Sequence, residues 1–367
     1  MVLTEHTAKL VDGFVALDDL GKIAVKGVEA PLRVHELRGV GTLRTKLEAS
    51  RARGFSKFVG REREMAVLEG ALERSLAGNG QIVGIVAGPG IGKSRLCAEF
   101  VERCRGRGIF VNEGHCPAHG RTIPYLPVLE LWRFYFGITD KDSHEEARKK
   151  IAGSLLLFDP GLHEALPLLF EFLGVTDPER PPPAMDPEAK ERRLLALLRS
   201  VIHLHTERQP VLLLIDDLHW IDSASDKWVG EIAEIAHGRR FLLLVNFRPE
   251  YEAAWMKRPW YQQLPLLPLG EEAVGELLDD LLGADPALAP LRERIRERTR
   301  GNPFFVEEVV QSLAESGILG GTKGGYRLAG SIDTIEIPTS VQAVLAARID
   351  RLAEREKTLL QTAAVIG

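Results

Sequence analysis

The sequence predicts an α/β protein with a parallel sheet covered by helices on both faces, followed by a helical segment. Three observations carry this. Short apolar runs at 81–87, 109–112, 211–216 and 241–246 read as strands, and 263–267 is a weaker fifth. Helical patterns lie between them, as at 61–77 and 188–205, and apolar strands joined by helical crossovers are what a sheet buried on both faces requires. Third, V-G-I-V-A-G-P-G-I-G-K-S-R-L (83–96) runs from a strand through a glycine-rich loop into a helix, the setting of a phosphate-binding loop.

Taken in chain order, 1–37 form a small unit. L-G-K-I-A-V-K-G and P-L-R-V-H-E-L alternate in polarity around the turn G-V-E-A-P and read as a β-hairpin, too small to bury a core alone. Residues 38–57 are polar and basic and read as a partly helical linker. Residues 58–270 carry the strand–helix alternation, with a proline-rich surface loop at 179–187. Residues 271–318 turn all-helical, 320–330 are glycine-rich and read as a turn or hairpin, and a new helical pattern opens at 337. The chain stops at A-A-V-I-G with no domain closed, so both ends read as cuts in a longer protein.

The formal net charge of -5 gives no global basic field for nucleic acid or a membrane surface. No run reaches the roughly 18 apolar residues of a spanning helix, and the N-terminus lacks a signal-peptide core, so a cytoplasmic location with no membrane partner is the default. The three cysteines, Cys97, Cys104 and Cys116, imply no disulfide framework. A zinc site from His115, Cys116 and His119 lacks a second ligand pair, and the stretch reads as a strand end and loop.

The loop departs from G-x-x-x-x-G-K-[ST] at its first position, where Ala87 replaces glycine. That position joins strand to loop, so one methyl is harmless if its φ is negative. Gly88, Gly90, Ile91 and Gly92 supply inward backbone N–H groups and the helix N-terminus adds its positive end. Lys93 brings a charge to the β- and γ-phosphates and the Ser94 hydroxyl is a ligand for Mg²⁺. V-L-L-L-I-D-D-L-H-W-I-D (211–222) has the Walker B pattern: Asp216 belongs to the Mg²⁺ shell, and Asp217 is placed to polarise a water toward the γ-phosphate. Asp222 reads as a helix N-cap. In L-V-N-F-R-P-E, Arg248 is the candidate γ-phosphate sensor, supported by Asn246. The catalytic set is thus Asp217, Lys93 and Arg248, with ATP or ADP and Mg²⁺ as cofactors.

F-V-G-R-E-R-E (58–64), A-G-P-G-I-G-K-S-R-L (87–96), L-L-L-I-D-D-L-H-W-I-D (212–222), N-F-R-P-E (246–250) and R-G-N-P-F-F-V-E-E (300–308) occur in order along the chain. Together they resemble the signal-transduction ATPases with numerous domains (STAND), a branch of the AAA+ superclass, and more narrowly the P-loop NTPase module that follows class III nucleotide cyclase domains in many bacterial regulators. The resemblance implies that Val59, Gly60 and Arg61 close over the adenine side, that Arg95 completes the loop motif, that Arg248 is the first sensor, and that Pro303 is a lid proline near adenine. It implies a P-loop core at 58–270, a helical lid at 271–318, and a hairpin and truncated winged-helix start at 319–367. Asn246 departs from the usual threonine. Residues 10–37 resemble the last strands of a class III cyclase domain, whose metal aspartates would lie upstream, so no cyclase activity is expected of this chain alone.

The leading expectation is an ATP-driven regulatory switch with slow turnover, acting in signal transduction or transcription on an intramolecular cyclase or effector domain. The alternatives are the regulatory part of a class III adenylate cyclase, a DNA-binding AAA+ protein and an inert nucleotide-binding scaffold. A-A-R-I-D-R-L-A-E-R-E-K is mixed in charge and decides nothing about DNA. Homo-oligomerisation is open: Arg180, Arg239 and Arg240 are the arginines weighed for action on a neighbouring copy, and no motif supports them.

Overall fold

The computed structural model describes residues 2–10, 13, 15–23, 31–40, 51, 54–330 and single positions between 337 and 349. The chain divides into two units, residues 1–58 and 59–367. The expected winged-helix start, apart from those single positions, and most of the expected linker lie outside the described residues.

The first unit holds strands β1 (Val2–Thr4), β2 (Val15–Ile23) and β3 (Leu32–Val40) and a short helix α1 (Glu5–Leu10). The order is β1-β3-β2, with antiparallel pairing throughout. The hairpin read from sequence is β2–β3, but its first strand starts at Val15 and a third strand pairs with it. The turn G-V-E-A-P lies outside the described residues apart from Pro31.

The second unit opens with α2 (Glu62–Leu76), β4 (Gln81–Val86), α3 (Lys93–Gly106) and β5 (Phe110–His115). Helices α4 (Leu126–Tyr135), α5 (His144–Phe158), α6 (Leu166–Phe172) and α7 (Pro187–Arg208) separate β5 from β6 (Val211–Asp216). Then come α8 (Ser223–Ala236), β7 (Phe241–Phe247) and β8 (Tyr261–Pro265). The sheet order is β5-β6-β7-β4-β8 and every pairing is parallel. Strands β6 and β7 are continuous apolar runs, because helices cover both sheet faces.

Two boundaries differ from the sequence reading. β5 continues past Asn112 through Glu113, Gly114 and His115, pairing His115 with Asp216. β8 covers 261–265 rather than 263–267; it is an edge strand, so Gln262 and Gln263 are tolerated where an inner strand would be apolar. The proline-rich loop ends one residue earlier than read, since Asp186 caps α7 and Pro187 takes its first position, where no N–H is needed.

Helices α9 (Glu271–Leu282), α10 (Ala289–Thr299) and α11 (Pro303–Glu315) follow, then a two-stranded antiparallel pair, β9 (Leu319–Gly320) with β10 (Arg327–Leu328). These helices bury a core of their own, including Val274, Leu278, Leu282, Leu291, Ile295, Val306 and Val309. The sheet's core is separate and includes Ile82, Leu213, Val245, Phe247 and Trp228. Cys97, Cys104 and Cys116 are free thiols, all buried in the sheet unit. Among the described residues no helix is long and apolar enough to cross a membrane.

Candidate functional site

Strand order builds the site. β7 lies between β4, which feeds the phosphate loop, and β6, which ends in the two acids. The C-terminal ends of the three strands therefore bring the loop at 87–94, Asp216 and Asp217, and Asn246 and Arg248 to one edge, where open α/β sheets bind ligands.

The loop turns through Gly90 (φ 78°) and Gly92 (φ 101°), angles that side chains resist. Ala87 is not among the non-glycine residues with positive φ, so its methyl carries no backbone strain. The Lys93 ammonium donates to the carbonyls of Ala87 (3.0 Å) and Gly88 (3.1 Å), inside the turn it would share with phosphates. Burial lowers its pKa, with the charges of Asp217 and Asp216 pulling the other way. A side chain built on Gly88 would meet nothing within 4 Å. Ser94 Oγ donates to Asp216 Oδ1 at 3.0 Å, so the two expected Mg²⁺ ligands are already adjacent. Lysine, hydroxyl, carboxylate and open loop fit an Mg-nucleotide in donor type and placement.

Asn246 is fully buried and braces both acids. Its Oδ1 accepts from the Asp217 N–H at 3.0 Å, and its Nδ2 donates to Asp216 Oδ1 and, at 3.5 Å, to Cys97 Sγ. Asp217 adopts the left-handed conformation (φ 56°, ψ 42°), which aspartate tolerates better than most residues and which costs free energy at a functional site. Partial burial and the neighbouring Asp216 charge push its carboxyl upward. The Arg248 guanidinium lies 5.5 Å from the centre of the Trp220 ring. Arg95 pairs with Glu99 one turn along α3, at 2.8 Å. Asp222 caps α8 as read, accepting from Ala224 and Ser225 N–H groups, and also takes the Tyr125 N–H.

The helical region meets this loop directly. Arg61, 5% exposed, donates to the Ile91 carbonyl (2.9 Å), the Leu267 carbonyl (2.8 Å) and Glu64 (3.1 Å). Gly60 sits so close to α9 that an added Cβ would lie 2.5 Å from Ala273 Cβ. Val59 belongs to the helical region's core, not to the loop. Pro303 faces the loop, its Cγ 3.8 Å from where a Gly92 Cβ would stand. Asn302 and Phe304, which sequence reasoning passed over, make the polar contacts: Asn302 Nδ2 donates to the Pro89 carbonyl (3.2 Å) and the Phe304 N–H to that of Gly90 (3.3 Å). Asn302 before Pro303 is an N-cap signal, and it does cap α11 through Phe305 N.

His115 and Glu130 form a second missed pair, fifteen residues apart, at the end of β5. Glu130 accepts from the His115 N–H (2.8 Å) and faces Nδ1 at 3.0 Å. Burial works against charging the imidazole, but the Glu130 bond and the charges of Glu130 and Asp216 outweigh it and raise its pKa to about 9. Arg239 and Arg240 lie at the opposite sheet edge, before β7, bonded to carbonyls of Ile235, Thr206 and Glu207.

A parallel sheet whose glycine-rich loop, paired acids and Asn246–Arg248 strand end converge in this way has the fold of a P-loop NTPase. The sequence pattern of the AAA ATPase domain matches residues 57–245, and the chain belongs to that family. A second pattern, Domain of unknown function (DUF8739), matches residues 270–318. An uncharacterized protein of Rhizobium meliloti (strain 1021), R02095, is 26% identical over 391 residues, covering 100% of this chain and 35% of its own length. The chain thus spans about a third of that relative. Among solved structures, the Aeropyrum pernix ORC1 protein in complex with DNA is similar at 14% identity and TM-score 0.41, over 83% of this chain and 72% of that one. A point variant of Thermotoga maritima RuvB is similar at 16% and 0.37, over 83% and 76%. The E. coli MS115-1 HORMA:CdnC:Trip13 complex gives 12% and 0.41, over 85% and 93%. At those values the fold assignment rests on strand order and the loop, not on these neighbours.

Proposed function

We propose that this chain is an ATP-binding regulatory switch of the STAND type that hydrolyses its nucleotide slowly and reports nucleotide state through the helices at 271–318. One observation carries the reading: the start of α11 rests on the tip of the phosphate loop, through Asn302 to Pro89 and Phe304 to Gly90. Any rearrangement of the loop around phosphates is then felt at the first turn of a helix whose core is separate from the sheet.

In this reading Lys93 leaves the Ala87 and Gly88 carbonyls for the β- and γ-phosphates. Loop N–H groups hold the remaining phosphate oxygens. Ser94 and Asp216 would hold Mg²⁺, which would supply charge neutralisation on the phosphates. Asp217 orients a water toward the γ-phosphate and accepts its proton as attack proceeds. Arg248 steadies charge on the γ-phosphate oxygens. Arg61 ties the loop to the segment before α9, on the side we assign to adenine. The effector is a further domain of the same polypeptide, which we read as class III cyclase-like from the resemblance of 10–37. Assembly with a second copy is compatible with the same switch.

The test is the nucleotide released on denaturing the purified chain, beside Lys93→Ala. Bound ADP or ATP in the parent and none in the variant is expected. A parent that is empty and also fails to bind added Mg·ATP would overturn the reading.

A further inference from the structure

His219 has no role in the set above, yet it is the most anomalous polar side chain in the site. It sits on the 3-10 turn Leu218–Trp220 directly after Asp217. Its side chain is 5% exposed, and neither ring nitrogen has a hydrogen-bond partner. A buried polar atom without a partner forfeits its hydration and gains nothing in return, and this ring carries two. Such a group calls for an explanation, and a role in the chemistry of the site is one.

The available partner is Asp217. His219 Nδ1 stands 3.9 Å from Asp217 Oδ1, beyond a hydrogen bond, and a shift of less than about 1 Å closes the gap. The acid needs such a partner. Its backbone is fixed, by Asn246 at the N–H and by Trp220 N–H at the carbonyl (2.9 Å), but among the described residues no group donates a hydrogen bond to its carboxylate. The carboxylate is 46% exposed and can swing. On its other side the imidazole packs on the Trp220 ring at 5.1 Å, and that ring faces Arg248.

We infer that His219 is the positioning residue for Asp217: its neutral imidazole donates from Nδ1 to the carboxylate and aims it at the water, while Trp220 keeps imidazole and Arg248 in register. This rests on the hydrolysis proposed above. It explains why a buried histidine is left without partners beside an acid in a strained conformation. The bond forms when the site closes on nucleotide, and it sets the hydrolytic step rather than nucleotide affinity.

The experiment compares single-turnover Mg·ATP hydrolysis and ATP affinity in the 367-residue chain and in His219→Phe, His219→Asn and His219→Gln. Asparagine places an amide donor near Nδ1, glutamine near Nε2, and phenylalanine neither. His219→Phe and His219→Gln should lose about 10- to 100-fold in the hydrolytic step, His219→Asn should recover most of it, and all three should keep ATP affinity within about threefold. Equal rates in all four proteins would overturn the inference and leave the switch reading standing. A uniform loss of rate together with ATP affinity would make His219 a packing residue and also overturn it. A parent chain that binds Mg·ATP and never turns it over would remove the hydrolysis and this inference together.

Discussion

Asn302 and Pro89, 213 residues apart, are joined by a hydrogen bond from the asparagine amide to the proline carbonyl at 3.2 Å. The same side chain caps α11 with its oxygen, accepting from Phe305 N at 3.1 Å. One residue therefore caps the start of the helical region's third helix and holds the tip of the phosphate loop. Asn302→Ala removes both functions, and the lost cap alone costs about 1 kcal/mol. Nucleotide release should accelerate roughly tenfold, as a loss of about 1.4 kcal/mol implies, when a fluorescent ADP analogue is displaced in a stopped-flow instrument. Gly90→Ala should be more severe. A methyl there would stand 2.8 Å from Asn302 Oδ1, on a backbone with φ 78°.

Asn246→Ala leaves the part-buried Asp217 N–H without its acceptor and removes one of the two side-chain donors to Asp216, the Ser94 hydroxyl remaining. A buried orphan costs about 1–3 kcal/mol, so urea denaturation should show a loss of that size. Hydrolysis should fall further than nucleotide affinity, because the residue braces acids and not phosphate-loop groups.

Arg61→Lys keeps the charge and loses the geometry. A planar guanidinium reaches the Ile91 and Leu267 carbonyls and Glu64 together, and one ammonium on a flexible stem does not reproduce that fork. Nucleotide affinity should fall by about tenfold in equilibrium titration. An unchanged value would show that the tie between loop and helices is not used in binding.

The His115–Glu130 pair predicts a pH dependence. The imidazole's folded-state pKa, about 9, lies above its ordinary 6.5. The folded state therefore binds more protons between those values. Stability from the pair is complete below about pH 6.5 and is lost as pH rises through about 9. Glu130→Gln should flatten that decline, measured by thermal unfolding in nucleotide- and magnesium-free buffer.

The sheet was largely legible because its signals are local. β6 and β7 are unbroken apolar runs, and the loop's Gly90 and Gly92 stand where backbone angles demand them. Legibility failed where a residue's reason lies far along the chain. β5 carries Asn112, Glu113 and His115, polar residues that a strand accepts only because Leu131, Arg105 and Glu130 receive them. The helices at 126–172 were not assigned individually; the first of them, α4, packs on β5 through contacts such as Tyr135 with Phe110. Within the site, Lys93, Ser94, Asp216 and Asp217 follow from motif spacing. Asn246's grip on two acids, Asn302's on Pro89 and His219's missing partners are properties of the folded arrangement.

The placement of the three thiols gives the protein a built-in clock. All lie in the sheet unit, none in the helices at 271–318, and Cys97 touches Asn246 beneath the nucleotide edge. Burial holds the Cys97 thiol far above its ordinary pKa, so a thiol reagent modifies it only when the sheet unit opens locally. The rate of that modification, read at one sulfur, separates breathing of the site's floor from movement of the helices above it.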